Sequence, residues 1–539
     1  MPTRYVLTGR IVTVDPAWTV HDSGALYIAD DRIVRIQDDA AAPPPGFDGA
    51  PRIATKGTIY PGLIELHNHL SYNALPLWPP LKVYENRGQW AGIEPYRKSV
   101  SGPMTVLGKT LGLPQAVVRY VECKCLVAGV TTSQGVALYS NNGIQKFYRG
   151  NIRNVEDTRE VDLDDALTKI ADVEATKAKD FLTRLKKTHK LILHLAEGLG
   201  PTARVHFTAL HLADDSWALA PSLVAIHANG LEAGDFAVLH DHGVGIVWSP
   251  LSNLLLYGGT TNIAAAHAND VPVALGSDWS PSGSRNLLAE LKVARIVNAG
   301  LSPSPYKDRD LVAMATRNPA TMLGWGDEIG SLADGHYADL LVVAGTDGDP
   351  YDHLLTASER DIDLVVIDGL ARFGRASLIA AAAPGASFET VKIGGLSRRL
   401  NLVEANADPV VGGLTLGAAR TGLTNALANL AALAKLLEDP PPGAALAALT
   451  DPTPQWFLEL DHDEPAGVAT RPHLPGPDGK ETGRVEMSIA LASKPLSTLL
   501  EPMTLDPLTV ADEPGYWARL AALTNIPKSI RDAIVKLDD

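Results

Sequence analysis

Hydrophobic and polar residues alternate near the start of the chain, and this pattern predicts short strands. Tyr5–Val14 and Gly24–Ile36 show the period of two that places apolar side chains on one face of a strand. The same pattern returns at Ile329–Val343 and Ile362–Phe373. Because strands lie on both sides of a different middle region, we expect one small β-domain built from both parts of the chain.

The middle region alternates apolar strand-like runs with longer helical stretches. This alternation is typical of βα units around a parallel sheet. The clearest predicted strands are Ile59–His67, Ala128–Thr132, Leu191–Ala196, Leu223–His227, Gly245–Ser249 and Pro272–Gly276. They favour an eight-stranded (β/α)8 barrel with long loops. A doubly wound open sheet is the alternative, which is weakened because no Gly-rich phosphate loop follows any of these strands.

Helices are predicted in two further places. Asp162–Lys187 has Leu163, Ala166, Ile170 and Val173 at helical spacing on a charged background, which indicates an amphipathic helix. In the last third of the chain, the apolar spacing predicts three helices. They cover Thr424–Glu438 with Thr424 as N-cap, Tyr516–Leu523 and Lys528–Leu537.

These patterns together predict an α/β protein with three parts. A (β/α)8 TIM barrel covers residues 57–325, and a composite β-sandwich domain combines residues 1–56 with residues 326–378. A mainly helical C-terminal extension of unassigned function covers residues 379–539. Its apolar helix faces must pack against the barrel or against a partner subunit.

Composition narrows the function classes. The chain has 539 residues, with 62 acidic against 47 basic side chains and a net charge of −15. Because there is no long run of Lys or Arg, we expect neither a nucleic-acid nor an anionic-membrane partner. Two cysteines are too few for a disulfide framework, and no segment reaches the roughly 20 apolar residues of a membrane span. The N-terminal residues lack a signal-peptide pattern, so we expect a soluble cytoplasmic protein.

Histidines and carboxylates stand at the ends of several predicted strands. His67 and His69 are two residues apart, so on a strand their imidazoles share a face and can reach one ion. His194 and Glu197 follow another strand, and His227 ends the next one. Barrel enzymes place their sites at this edge, where strands end.

Asp278 comes directly after the apolar run Val271–Ser277. A buried carboxylate needs a partner, which favours a metal site, although a helix-capping role is the alternative.

The sequence is similar to the amidohydrolase superfamily, in particular its mononuclear branch of cytosine and guanine deaminases, methylthioadenosine/S-adenosylhomocysteine deaminases and s-triazine hydrolases. The motifs that carry the resemblance are YPGLIELHNH at Tyr60–His69, HLAE at His194–Glu197, SPLSN at Ser249–Asn253, LGSD at Leu275–Asp278, and the closing segments Ala315–Gly324 and Ile329–Val343.

The resemblance implies a role for each motif residue. His67, His69, His194 and Asp278 would hold one divalent metal ion, most often zinc and in some relatives iron. Glu197 would carry protons to the leaving nitrogen, and His227 would hydrogen-bond the attacking water or the forming oxyanion. Such a site can lower the pKa of a water from about 15.7 towards 7, and Asp278 can then accept its proton.

One position departs from the deaminase pattern. A histidine commonly stands two residues before the proline of the PxSN motif, and here that position is Trp248. The change favours an aromatic or apolar substrate over a purine. We therefore expect Trp248, Asn253, Trp78 and Trp279 to contact the substrate.

The expected metal count is one, because the segment Ala128–Leu138 lacks the lysine that bridges two metals in binuclear relatives. The sequence thus predicts a hydrolase of non-peptide carbon–nitrogen bonds, with a small heterocyclic or aromatic substrate and assembly as a homodimer. Hydrolysis of an amide, urea or lactam, or displacement of chloride, is the alternative on the same site. A catalytically inactive barrel used for binding is a third hypothesis.

Overall fold

The computed structural model describes residues 4–169, 178–404, 408–441, 454–460 and 494–538. Its strands are β1 (Arg4–Val12), β2 (Val20–Ala29), β3 (Arg32–Asp38), β4 (Arg52–Pro61), β5 (Leu63–Glu65), β6 (Val130–Ser133), β7 (Ala137–Ser140), β8 (Gln145–Phe147), β9 (Arg153–Asn154), β10 (Ala166–Lys169), β11 (Lys190–Leu195), β12 (Leu223–His227), β13 (Gly245–Trp248), β14 (Val273–Leu275), β15 (Leu340–Ala344), β16 (Ile362–Ile367), β17 (Leu370–Gly374), β18 (Glu389–Ile393), β19 (Leu396–Leu400) and β20 (Trp456–Leu458).

The α-helices are α1 (Glu94–Tyr96), α2 (Gly102–Lys109), α3 (Leu113–Val127), α4 (Ala178–Leu185), α5 (Pro201–Thr208), α6 (Asp235–Asp241), α7 (Pro250–Tyr257), α8 (Ile263–Ala268), α9 (Leu287–Ala299), α10 (Asp308–Met314), α11 (Arg317–Leu323), α12 (Pro350–Thr356), α13 (Ala376–Ala382), α14 (Leu416–Ala428), α15 (Leu430–Glu438), α16 (Leu496–Leu499), α17 (Tyr516–Ala521) and α18 (Lys528–Ile534). Among the described residues, no helix combines the length and apolar character needed to cross a bilayer.

Strands from distant parts of the chain share one nine-stranded sheet, in the order β18-β19-β17-β16-β15-β4-β1-β2-β3. Strand β4 is the junction, because it pairs parallel to β1 and antiparallel to β15. Apolar side chains such as Ile11, Ile59 and Leu340 are fully buried in the core of this sheet. The alternating pattern on both sides of the middle region therefore reflects a shared sheet. Residues 389–400, in the predicted extension, add β18 and β19 to it.

Two parallel sheets carry the middle of the chain. One has the order β10-β11-β12-β13-β14 and the other β5-β6-β9. Hydrogen bonds link them at both ends, from Ala166 N to Val155 O at 2.7 Å and from Asp278 N to His67 O at 3.0 Å. Since parallel strands are covered on both faces, they read as continuous apolar runs such as Leu191–Leu195, which is buried throughout.

One predicted helix is wrong over part of its length. Within Asp162–Lys187, residues Ala166–Lys169 form β10, which pairs in parallel with β11, and the described helix is Ala178–Leu185. Residues 170–177, with Ile170 and Val173 of the predicted apolar stripe, lie outside the described residues. Leu163 and Ala166 are buried in the same core as the β11 residue Ile192, so they are apolar because of the sheet.

The helices near the end of the chain lie close to their predicted positions. Where one helix, Thr424–Glu438, was predicted, the structure has two consecutive helices, α14 and α15, which together begin earlier in the chain. Thr415 rather than Thr424 is the N-cap, and its hydroxyl oxygen accepts a hydrogen bond from Ala418 N at 3.1 Å. Helix α14 packs against α3, and the Arg119 side chain of α3 donates to Leu414 O at 2.9 Å. The extension is therefore in contact with the helices that cover the parallel strands.

Candidate metal centre

Four side chains from three strand ends converge on one point. His67 and His69 follow β5, His194 lies in β11, and Asp278 follows β14. The Nε2 atom of His194 lies 3.1 Å from Nε2 of His67 and 3.3 Å from Nε2 of His69. The Asp278 Oδ1 atom lies 3.3 and 3.4 Å from the same two nitrogens. All four residues are buried or nearly so.

These separations test whether the residues fit a metal ion. Donor atoms bound to one ion at the roughly 2.0–2.2 Å of protein zinc sites lie about 3–4 Å apart, and the four separations given fall in this range. Three imidazole nitrogens and one carboxylate oxygen are also a donor set that suits zinc-like ions. The four residues fit a divalent metal ion.

Neighbouring side chains fix the orientation of two of these donors. His67 Nδ1 lies 2.7 Å from Ser249 Oγ, which leaves its Nε2 atom directed at the centre. The Ser252 hydroxyl donates to Asp278 Oδ2 at 2.5 Å, so that Oδ1 faces the centre. Burial, followed by the charges of the neighbouring histidines, holds the pKa of His67 well below its usual range. His67 is therefore neutral, as a metal-binding imidazole must be.

Glu197 lies beside the four donors with one oxygen held and the other open. Its Oε1 atom accepts a hydrogen bond from the Tyr257 hydroxyl at 2.6 Å, and that hydroxyl accepts from Trp90 Nε1 at 3.0 Å. Its Oε2 atom is buried, and no hydrogen-bond partner for it lies among the described residues. The guanidinium of Arg87 lies 3.8 Å from that oxygen. This arrangement can orient the carboxylate while leaving Oε2 available to exchange a proton.

His227 completes the group from the end of β12. Its ring lies 4.7 Å from the ring of His67, and its Nε2 atom lies 3.7 Å from Glu197 Oε1. Its Nδ1 atom lies 2.8 Å from the side-chain oxygen of Asn253, which can only accept. The proton of neutral His227 is therefore on Nδ1, and Nε2 is free to accept a hydrogen bond.

Left-handed backbone conformations cluster at this site. Ala196, His227, Ala228 and Asp278 have φ values of 52°, 64°, 50° and 66°. Such conformations cost a non-glycine residue about 1–3 kcal/mol and persist where the surroundings enforce them. At these strand ends, the unusual backbone directs the side chains of Glu197, His227 and Asp278 towards one another.

The four predicted substrate contacts lie in two places. Trp279 is beside the metal donors, with its ring 5.2 Å from the ring of His69, and Trp78 lies further along the same aromatic cluster, 6.3 Å from the ring of Trp90. Trp248 is fully buried and donates its indole N–H to Thr260 Oγ1 at 2.7 Å. Asn253 donates to the same hydroxyl oxygen at 3.2 Å. Trp248 and Asn253 therefore support the side of the site that holds His227.

Sequence reasoning named Asn253 only as a substrate contact and Ser249 only as part of a motif, and it missed Ser252 and Tyr257, although a helical pattern could have revealed the supporting role of all four. Ser249, Ser252, Asn253 and Tyr257 all bond to site residues, and their spacing places them on one face at the start and along α7. Glu65, two residues before His67, was missed as well. It is buried and accepts from Asn68 Nδ2 and Ser277 N, each at 2.8 Å. A carboxylate inside the apolar run Ile59–Leu66 was the available signal.

Comparison with known proteins places this geometry in context. Residues 174–371 match the Amidohydrolase family. The chain is 32% identical over 157 residues to a 5-methylthioadenosine/S-adenosylhomocysteine deaminase of Acetivibrio thermocellus, a match that covers 27% of this chain and spans only 36% of that protein. A deaminase with the same name from Syntrophobacter fumaroxidans is 27% identical over 376 residues, which cover 63% of this chain and 84% of that protein.

A solved structure shares the fold. The adenosine deaminase from Xanthomonas campestris with bound zinc superimposes with a TM-score of 0.54 at 17% identity, covering 70% of this chain and 96% of that protein. At this level of identity, the likeness concerns the fold alone.

Proposed function

Because the chain belongs to the amidohydrolase superfamily, we propose that it is a metal-dependent hydrolase of a carbon–nitrogen bond, other than a peptide bond, in a heterocyclic or aromatic small molecule. One observation carries the proposal. Four donor atoms, separated by 3.1–3.4 Å between His194 or Asp278 and the two other histidines, stand beside Glu197, a buried carboxylate with one open oxygen. A purely structural cluster would satisfy that oxygen within the protein.

In this proposal, His67, His69, His194 and Asp278 hold one divalent ion, with zinc favoured over iron by the donor set. When bound, such an ion supplies the Lewis acidity that polarises the substrate and makes a water molecule more acidic. The single-ion assignment rests on these four residues and on the absence of lysine from Ala128–Leu138.

The protein's own residues then move the protons of hydrolysis. Asp278 accepts a proton as water attacks the substrate carbon, and Glu197 delivers a proton from Oε2 to the nitrogen as the carbon–nitrogen bond breaks. The proton on Asp278 then passes to Glu197 through solvent, which restores both carboxyl groups for the next turnover. His227 Nε2 hydrogen-bonds the attacking water while Asn253 keeps its ring in place. The Tyr257 hydroxyl holds the other oxygen of Glu197, which limits rotation of the carboxylate.

Deamination is our first choice of reaction, since the relatives from Acetivibrio thermocellus and Syntrophobacter fumaroxidans are named deaminases. The aromatic cluster near the donors suits a planar substrate. Its rings include Trp279, Trp90 and Tyr96, with Trp90 and Tyr96 5.2 Å apart. Such rings can stack on a heterocycle or an aryl group.

We also propose that the eight parallel strands β5, β6 and β9–β14 form a closed (β/α)8 barrel over residues 57–325. The bonds from Asp278 N to His67 O and from Ala166 N to Val155 O support closure. Residues 1–56 and 326–378 form the β-domain, to which residues 389–400 add two strands, and the rest of residues 379–539 is an extension. The cytoplasmic location and homodimer stay predictions.

The experiment combines metal analysis with a substrate panel. Purified protein should contain about one zinc-like ion per chain, and it should release ammonia or an amine from at least one compound in a panel of aminoheterocycles, aryl amides and ureas. The His67→Ala variant, prepared in parallel, is the control for background hydrolysis. Two tightly held ions per chain would contradict the mononuclear site, and a metal-loaded protein inactive on the whole panel would contradict the substrate class.

A further inference from the structure

A second buried polar cluster lies outside the candidate metal centre, and the C-terminal extension supplies its central residue. Asp506 is 1% exposed. Its Oδ2 atom accepts from Lys124 Nζ of α3 at 2.6 Å, and its two oxygens accept from Nη2 and Nε of Arg285 at 2.8 and 2.9 Å. Both cations are 2% exposed. One carboxylate of the extension therefore compensates two cations buried beneath it.

Backbone contacts hold Asp506 in this position independently of its carboxylate. Its N–H donates to Ala74 O at 3.1 Å, and its carbonyl accepts from the Tyr120 hydroxyl at 2.5 Å. The extension thus lies against the segment that follows His69. A change confined to the side chain can leave these contacts in place.

Lys124 connects Asp506 to the segments that carry the metal donors. Its Nζ atom also donates to Asn73 O at 2.8 Å and to Ser280 Oγ at 3.0 Å. Ser280 stands two residues after Asp278, and its N–H donates to Asn73 Oδ1 at 2.7 Å. Lys124 therefore joins the segment after His69 to the segment after Asp278.

The network continues between the two histidine donors. Asn73 Nδ2 donates to Asn68 Oδ1 at 2.9 Å, and Asn68 stands between His67 and His69. Asn68 in turn donates to Glu65, which also accepts from the N–H of Ser277 just before Asp278. A continuous chain of buried hydrogen bonds thus runs from Asp506 to both segments.

The charges explain why Asp506 matters to this chain of bonds. Burial lowers the pKa of Lys124, and the neighbouring Asp506 carboxylate opposes that change. Burial raises the pKa of Asp506, but Lys124 and Arg285 outweigh it and hold that pKa below its usual range. Without the carboxylate, Lys124 would lose its carboxylate partner while Arg285 would keep that of Glu513, and the buried ammonium could no longer be held between Asn73 and Ser280 at low cost.

We propose that Asp506 of the C-terminal extension is a positioning residue for the metal centre, acting through Lys124 to hold the segments that carry His67, His69 and Asp278. This inference rests on the proposed metal site. It gives the extension a role in metal binding, since residues that orient metal ligands typically change metal affinity by about 10–100-fold when they are lost.

The test is a measurement of zinc affinity in the full-length protein by competition with a chromophoric chelator. Asp506→Asn keeps the size of the side chain but removes its charge, and we expect it to weaken zinc binding by about 10–100-fold. Asp512→Asn is the matched control in the same segment. The Asp512 carboxylate accepts from Gly394 N at 2.8 Å and Thr509 Oγ1 at 2.7 Å, so its loss should leave zinc affinity unchanged.

Lys124→Met is the second variant, because Asp506→Asn could fail to fold. It leaves the pair between Asp506 and Arg285 intact but removes the donor to Asn73 and Ser280, and it should weaken zinc binding to a similar degree. The inference would be overturned if either variant, Lys124→Met or Asp506→Asn, folded and bound zinc as tightly as the parent. A parent protein that binds no zinc would overturn the proposed function and this inference together, so the two failures are distinguishable.

Discussion

The candidate metal centre and the cluster of Lys124, Arg285 and Asp506 are both buried and polar, but their polar atoms are satisfied differently. In the cluster, the Asp506 carboxylate accepts three hydrogen bonds from two cations. In the metal centre, four donor atoms face one another, and Glu197 Oε2 has no hydrogen-bond partner within the described ranges. Since unsatisfied buried groups are costly, the first arrangement stabilises the fold and the second is suited to receive ligands.

The strongest test of this contrast is the removal of one of the four side chains that would bind the metal ion. His194→Ala should lose the metal ion and the activity together, because three remaining donors leave one side of the site open. Elemental analysis and turnover should be measured on the same preparation. A variant that retains a full complement of metal would show that His194 is not a ligand.

The next largest effect concerns the Oε2 atom of Glu197. Glu197→Gln is nearly isosteric, so it should keep the metal ion, but it cannot exchange a proton at neutral pH. Turnover should fall by about 10²–10⁴-fold, the usual contribution of general acid–base catalysis. The Michaelis constant should change less. Glu232→Gln, at a side chain that is 71% exposed, serves as a control and should behave like the parent. Parent-like turnover in Glu197→Gln would refute the role of the carboxylate.

In the cluster of Lys124, Arg285 and Asp506, the expected effect is on stability. Arg285→Met leaves Asp506 with one cation instead of two, and breaking a buried pair costs about 3–5 kcal/mol of unfolding free energy. Arg35→Met is a matched control, because Arg35 pairs with Asp334 at the surface with the side chains 54% and 44% exposed. Exposed pairs contribute about 0–1 kcal/mol. Denaturant unfolding of both variants checks the difference, and equal losses would contradict it.

The last predicted effect is a change in the pH dependence of stability. Burial raises the pKa of Glu290 from 4.5 to about 8, although the Ser284 hydroxyl and Leu251 N–H oppose the shift. Between these two values the folded state keeps a proton that the unfolded chain has released. The unfolding free energy therefore falls as pH rises, by about 1.4 kcal/mol per pH unit from this group.

Glu290→Gln cannot ionise and should reduce that slope by the same amount. Unfolding measured at several values between pH 5 and 8 compares the two proteins. An identical slope in parent and variant would show that Glu290 ionises normally in the folded protein.

The sequence predicted the parts of the site that local patterns encode. Strands that end in His67, His194, His227 and Asp278 could be read directly, because apolar runs followed by ligand-type residues are short-range signals. Glu65 and Tyr257 were missed, although a buried carboxylate and a helical spacing were both visible. Asp506 could not be found, since 382 residues separate it from Lys124 and nothing near it in sequence shows that its partner is buried.

The fold was predictable to a similar extent. The alternating strands at both ends gave the right elements, but the order of the nine-stranded sheet depends on pairings over hundreds of residues. The error at Ala166–Lys169 has a physical origin, because Leu163 and Ala166, which are buried in the core of the sheet, are three residues apart and so also satisfy a helical period. Periodicity alone cannot separate these two cases.

The position of β4 has a consequence for synthesis on the ribosome. One edge of β4 pairs with β1, which precedes it, but the other edge pairs with Leu340–Ala344, and the sheet continues from there. At about 5–20 residues per second, the 279 residues from Gly62 to Leu340 take roughly 15–55 s to synthesise. During that interval, one edge of β4 exposes unpaired backbone groups, and such an edge can pair with another chain. Keeping the concentration of nascent chains low, or supplying a chaperone that covers strand edges, should therefore raise the yield of folded protein.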